Sequence, residues 1–259
     1  VSGIALCASM PAHAEMSFNR VATFATPLNM AAGEDTNRPS SAEIISATED
    51  GMTLIYTDSP LGVVGMVDIS DPKAPMPLGN IAMGGEPTTA VVIGDRAFAA
   101  VNTSESYAEP SGKLVTIDLA ARAVVAECDL GGQPDSVARA RDGSFLAIAI
   151  ENERDEDLND GQIPQMPAGY VVKLPVTKGA ADCAALQRIE VTGLAGIAPE
   201  DPEPEFVDVN GAGEIAVTLQ ENNHIVIIGT DGAVAGHFSA GAVTLEGVDL
   251  TDERGAIRF

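Results

Sequence analysis

Carboxylates crowd one short stretch of this chain, ENERDEDLNDG, residues 151–161. Asp155, Asp157 and Asn159 fall at alternate positions, a spacing that lets several oxygens converge on one hard cation such as calcium. Glu151, Glu153, Asp155, Asp157 and Asp160 therefore form a candidate calcium loop, with Glu205 and Glu221 as weaker additions from farther along. The loop is not an EF-hand. Its sixth position is Asp160 where that motif needs Gly, and its twelfth is Met166 where it needs Glu. The competing reading is a solvated acidic loop capped by Arg154 and neighbouring arginines.

Other chemistries are poorly supplied. Beyond the N-terminal region the histidines are His224 and His237, too few for a zinc cluster, and His224 reads as a surface or loop histidine at the start of a strand. Ser239 has Gly241 two positions after it, but no Gly two before it and no helix following, so it is not a nucleophile elbow. No glycine-rich phosphate loop precedes a helix. Gly84-Gly85 and Gly131-Gly132 read as sharp linker turns.

The whole chain shares the acidity. Its 259 residues carry 38 acidic and 14 basic side chains, a formal charge of -24. Nucleic acid is a poor partner, because binding it requires a basic face that displaces counterions, and anionic lipid is disfavoured for the same reason. Solubility accounts for most of such a charge. Local cation binding is the sharper use of a part of it.

The elements that position these residues are strands. Hydrophobic residues make up 45% of the chain and aromatics only 4%, and 26 Gly and 16 Pro punctuate short Val/Ile/Ala runs. The run AEIISATEDGMTLIYTD holds Asp50-Gly51 between two apolar segments, a strong hairpin signal. A repeat follows. GGEPTTAVVIGDRAFAAVNTSE, GGQPDSVARARDGSFLAIAIENE and DPEPEFVDVNGAGEIAVTLQENN align at Pro87, Pro134 and Pro204. Asp142-Gly143 falls on Ala212-Gly213, and Glu151-Asn152 on Glu221-Asn222, each at an offset of 70. Each unit continues into a second hairpin, and the other spacings are 47, 45 and 41.

Four strands per unit and a period near the low-to-middle forties indicate an all-β fold, a β-propeller of four-stranded blades. The longer third unit carries insertions at 153–167 and around 177–185. About four blades are expected, with a fifth starting at Leu245, so residues 15–259 read as a propeller domain truncated at its C-terminus. Phe18–Thr26 reads as a further strand. In such a blade the second-to-third loops and the linkers between blades emerge at one end. That rule gathers Glu86, Glu200, Asp201 and Glu203 of the linkers and Glu105, Glu151, Glu153, Asp155, Glu156, Asp157, Asp160 and Glu221 of the loops at one end, with Glu205 and Glu246 near the axis there.

Residues 1–14, VSGIALCASMPAHA, resemble the tail of a secretory signal: an apolar run, then Ala12-His13-Ala14 as a small-x-small cleavage pattern. The alternative is an ordinary N-terminal strand. No other apolar stretch reaches membrane-spanning length. A periplasmic or secreted protein is expected, and cleavage leaves Cys128 and Cys183. In an oxidising compartment these two either form a disulfide or remain two buried thiols.

The segments AAGEDTNRPSSAEIISATEDGMTLIYTDSPLG, GGQPDSVARARDGSFLAIAIENERDEDLNDG and PEFVDVNGAGEIAVTLQENNHIVII resemble the N-terminal propeller of exported bacterial proteins named for esterase-like activity of the phytase type. Related secreted propellers of the choice-of-anchor I group, some labelled alkaline phosphatase, share the EPEF…VTLQENN pattern. The resemblance implies a phosphoric ester hydrolase in the full-length protein, with calcium bridging an acidic face to a small phosphorylated substrate. The phytase-like segment of that family lies C-terminal to the matched region, so no catalytic residue carries over. The remaining blades or that segment would be partners within the same chain. The alternative is a non-catalytic propeller scaffold or binding module.

Overall fold

The computed structural model describes residues 19–155 and 157–247. The signal-like segment, and most of the fifth unit expected from Leu245, lie outside them.

Among the described residues, four antiparallel sheets follow one another in chain order. The first contains β1 (Ile45–Ala47), β2 (Thr53–Asp58), β3 (Val63–Asp68) and β4 (Met76–Ala82). The second contains β5 (Glu86–Ile93), β6 (Arg96–Asn102), β7 (Gly112–Asp118) and β8 (Ala123–Asp129). The third contains β9 (Pro134–Arg139), β10 (Phe145–Ile150) and β11 (Tyr170–Thr177), and both β12 (Ala180–Ala181) and β13 (Gln187–Glu190) pair with β11. The fourth contains β14 (Pro204–Val209), β15 (Ile215–Leu219), β16 (His224–Ile228) and β17 (Val234–Ser239). Each sheet is a meander of neighbouring strands. These are blades of a β-propeller, as the repeat predicts. The aligned prolines Pro87, Pro134 and Pro204 all lie at or next to the first residue of an inner strand.

Side-chain alternation divides each central strand between two interfaces. On β10, Leu146, Ile148 and Ile150 pack with Phe98, Ala100 and Leu114 of the second blade. Phe145, Ala147 and Ala149 of the same strand pack with Val207, Ile215 and Val217 of the fourth. Because both faces are covered, β10 is apolar throughout, where a sheet with one wet face alternates. The fourth blade shows that contrast. On β15, Ile215, Val217 and Leu219 are buried while Ala216 and Thr218 are exposed.

Glycine opens the way for the prolines. A Cβ on Gly112 or Gly169 would collide with the ring of Pro134 or Pro204 respectively. In both places a glycine at or just before the third strand of one blade seats the first residue of the next blade's inner strand. Turn chemistry matches the reading at Asp142-Gly143: Gly143 has φ +71°, and Asp142 Oδ1 accepts from Ser144 N at 3.0 Å.

Phe18–Thr26 departs from its expected form. Its described residues pair with no strand, and the chain continues into a 3-10 turn, Thr26–Asn29. This segment lies across the first blade. Asn29, 4% exposed, donates to Tyr56 Oη at 2.9 Å and to Met66 O at 3.0 Å, and accepts from Gly79 N at 3.0 Å. Its apolar alternation resembles a strand, yet its residues line a groove with Leu54, Tyr56 and Val67 of the first blade instead of extending an edge.

The insertion at 177–185 forms the short hairpin to β12 and a 3-10 turn, Cys183–Ala185. Here Cys183 is bonded to Cys128 of β8, with Cα atoms 5.5 Å apart, in the usual range for a disulfide.

Candidate functional site: an acidic cleft at the loop end

A cleft of about 580 Å³ opens between the loops of the second, third and fourth blades. The β6–β7 loop supplies Tyr107, the β10–β11 loop supplies Glu151, Glu153, Asp155 and Asp157, the linker before β14 supplies Glu203, and the β15–β16 loop supplies Glu221. Second-to-third loops and a linker thus meet at one end. Asp160 does not line the cleft; it sits exposed in the 3-10 turn Leu158–Gly161 with φ 56°. Glu205 is not part of the lining either, but its charge raises the carboxyls of both Asp135 and Glu151. Glu246 is exposed and is not part of the cleft lining.

The acidic loop is stitched to its surroundings. Gln133 Oε1 accepts from Glu153 N at 3.1 Å, and its Nε2 donates to Glu153 Oε2 at 3.3 Å. Gln165 accepts from Asp155 N and donates to Asp155 O, both at 2.9 Å. Asp155 Oδ1 itself accepts from Asp157 N at 2.9 Å, so one oxygen of the alternating series already closes a turn.

Arg154 also lines the cleft, with its guanidinium engaged by two carboxylates. Its Nη2 meets Glu203 Oε2 at 2.9 Å, its backbone N–H donates to Glu203 Oε1 at 2.7 Å, and its Nε lies 3.2 Å from Asp201 Oδ2. The two carboxylates are almost fully enclosed, with side-chain exposures of 2% and 3%. The Nε contact is an ion pair without hydrogen-bond alignment, and both Arg154 Nε and Asp201 Oδ1 are left without hydrogen-bond partners.

The remaining carboxyls repel one another in a partly dry setting. Burial, reinforced by Asp135, Glu153, Glu203 and Glu205, pushes Glu151 up to about 9. Burial followed by Glu205, Glu153 and Glu221 pushes Asp135 up to about 6. Burial and then Glu221 raise Glu205, whose Oε2 is enclosed without a hydrogen-bond partner. Burial raises Glu203 to about 7, against the lowering by Arg154. Glu153 leads the carboxylates that raise Tyr107.

Asp135 was absent from the sequence-based candidates. Its signal was the repeat itself, since it occupies in the third blade the position that Glu205 occupies in the fourth. The donors are all hard oxygens, the chemistry that calcium selects. Among the described residues, however, no three Asp, Glu, His or Cys side chains stand together as a ready-made metal site. The cleft is an open electronegative basin.

Antiparallel four-stranded blades in series, with loops and linkers converging on one acidic end, define a propeller domain. The chain belongs to the choice-of-anchor I domain family, whose model matches residues 43–259. Membership points to an exported or cell-surface protein. No curated protein matches the chain closely enough to count as a relative.

Solved structures agree on the fold. A streptogramin B lyase is 13% identical with a TM-score of 0.54, over 78% of this chain and 55% of that one. A putative 6-phosphogluconolactonase from Bacteroides uniformis is 9% identical with a TM-score of 0.54, over 78% and 59%. A catalytically inactive virginiamycin B lyase from Staphylococcus aureus, solved with quinupristin, is 13% identical with a TM-score of 0.50, over 79% and 57%. The matches thus span between 55% and 59% of the length of these three proteins. Among the described residues, no helix is long and apolar enough to cross a membrane.

Proposed function

We propose that this propeller is the ligand-binding domain of an exported protein, and that its acidic cleft takes up a divalent cation, calcium foremost, through which it holds a small phosphorylated molecule. The observation that carries this reading is the environment of Glu151. Its carboxyl is pushed up to about 9 by burial and by four neighbouring carboxylates, and a bound cation relieves that repulsion. Glu151, Glu153 and Glu221 would hold the ion from the cleft wall, with Asp135 and Glu205 lowering the potential behind them. Calcium supplies positive charge at a site whose bare carboxylates repel a phosphate. The chain's own part is to concentrate the acids, fix the loop through Gln133 and Gln165, and keep Arg154 occupied with Asp201 and Glu203. In the full-length protein this supports phosphate-ester hydrolysis, as the phytase-type resemblance implies.

Calorimetric titration with CaCl2 tests the first step. Saturable binding that weakens at least tenfold in Glu151→Gln plus Glu153→Gln is expected, and binding unaffected by both substitutions overturns the assignment. Calcium-dependent hydrolysis of a phosphomonoester by the full-length protein tests the second.

Arg154 favours a second reading, a non-catalytic scaffold. It neutralises two of the most enclosed carboxylates with protein alone, as a structural network does. Calcium binding with no hydrolysis in the full-length protein selects that reading.

A further inference from the structure

We propose that His224 and His237 form a two-histidine site for a copper(II)-class cation on the β16–β17 pair, outside the lining of the acidic cleft. In the β16–β17 register Val226 faces His237 and His224 faces Ser239, so the two histidines are diagonal neighbours on one face of the sheet. His224 Nε2 lies 2.9 Å from His237 Nδ1, and the ring centroids are 5.2 Å apart. The pair are the only histidines among the described residues.

The two nitrogens point at each other and share one proton, so one donates and the other accepts. If the donor ring moves that proton to its far nitrogen, both facing nitrogens present lone pairs. An ion then replaces the proton once the rings part enough to admit bonds of about 2.0–2.1 Å. The two positions divide that task. His224 is 7% exposed, held at the start of β16 opposite Leu219, and provides a fixed ligand. His237 is exposed on the outermost strand, where its ring can swing outward. Water fills the remaining positions. Imidazole nitrogen suits copper, nickel and zinc, and copper(II) ranks highest among the divalent ions for such donors, whereas calcium prefers the oxygens of the cleft. The two sites therefore sort cations by hardness.

The test adds one equivalent of CuCl2 to the untagged chain at pH 7.5 in excess CaCl2, with His13→Ala in every protein so that no third histidine competes. Electron paramagnetic resonance is expected to show coupling to two imidazole nitrogens. Copper affinity is expected to drop at least tenfold in His237→Ala and in His237→Gln; the Gln amide can still partner His224, so the copper-free melting temperature of His237→Gln is expected to stay close to the parent's, while His237→Ala loses that partner. A spectrum showing oxygen ligands alone, or equal copper affinity in the His237 variants, overturns the proposal.

Discussion

Asn152 and Asn222 make the same hydrogen bond in successive blades. Asn152 Oδ1 accepts from Gln133 N at 2.9 Å, and Asn222 Oδ1 accepts from Glu203 N at 3.0 Å. Each donor immediately precedes the proline that opens an inner strand. The amide nitrogens reach the other way, Asn152 to Pro167 O and Ala168 O, and Asn222 to Ile197 O, Ala198 O and Asp201 O. Each asparagine is thus a buried strut between a blade's second-to-third loop and the linker that leads into that blade. The acidic end inherits its shape from these struts, because Glu151 and Glu153 flank one and Glu221 adjoins the other.

Asn222→Ala leaves Glu203 N and three carbonyls short of a partner, and a loss of about 1–3 kcal/mol is expected from the unsatisfied buried groups. Asn152→Ala should cost more, since Asn152 also has φ 52°, a region Asn tolerates better than Ala. Urea denaturation of the two variants measures both losses; an Asn222→Ala protein as stable as the parent contradicts the strut.

Removing Arg154 strands two enclosed carboxylates. Arg154→Met is expected to destabilise the chain by about 3–5 kcal/mol, the usual cost of breaking one side of a buried ion pair. Adding Asp201→Asn and Glu203→Gln to the same chain should recover much of that loss. Equal stabilities of the single and triple variants would show that the pairing is incidental.

Stability should fall as pH rises. The Glu151 carboxyl is held up to about 9 and Asp135 up to about 6, whereas both ionise near about 4 in an unfolded chain. Between those limits the folded chain binds more protons than the unfolded one, so raising the pH favours unfolding. In a chelator the melting temperature is expected to be higher at pH 5.5 than at pH 8. Glu151→Gln should flatten that slope, and a melting temperature that climbs over this range would refute it.

The Cys128–Cys183 bridge closes a span of 55 positions. Cys128→Ser plus Cys183→Ser is expected to lose about 2–4 kcal/mol, mainly through the greater freedom of the unfolded chain. Thermal unfolding of the variant, alongside the oxidised parent, reads the difference.

Much of the architecture was legible because it is local. Pro134 and Pro204 mark equivalent starts, Asp142-Gly143 carries its own turn chemistry, and the doubly apolar β10 announces a strand covered on both faces. What escaped depends on distant residues. Arg154 acquires Asp201 and Glu203 from across the β10–β11 insertion, nearly fifty positions away. His224 read as a loop residue because only the β16–β17 register, fixed by the fold, brings His237 to it. Residues 19–25 have the alternation of a strand, but a pattern of side chains does not reveal whether a neighbouring edge is vacant. The acidic set was legible as a group and not as a geometry: the loop's turns carry Asp160 away from the cleft, while the inner strand brings in Asp135.

The disulfide also changes how the molecule comes apart. In an array of similar units each blade holds chiefly to its neighbours, so opening starts wherever one interface is weakest. Cys128 lies on the outer strand of the second blade and Cys183 in the insertion of the third. The covalent link spans a blade boundary that Phe98, Leu146 and Tyr170 already cement. The second and third blades are therefore expected to open together as one cooperative unit, and the acidic loop is anchored on it.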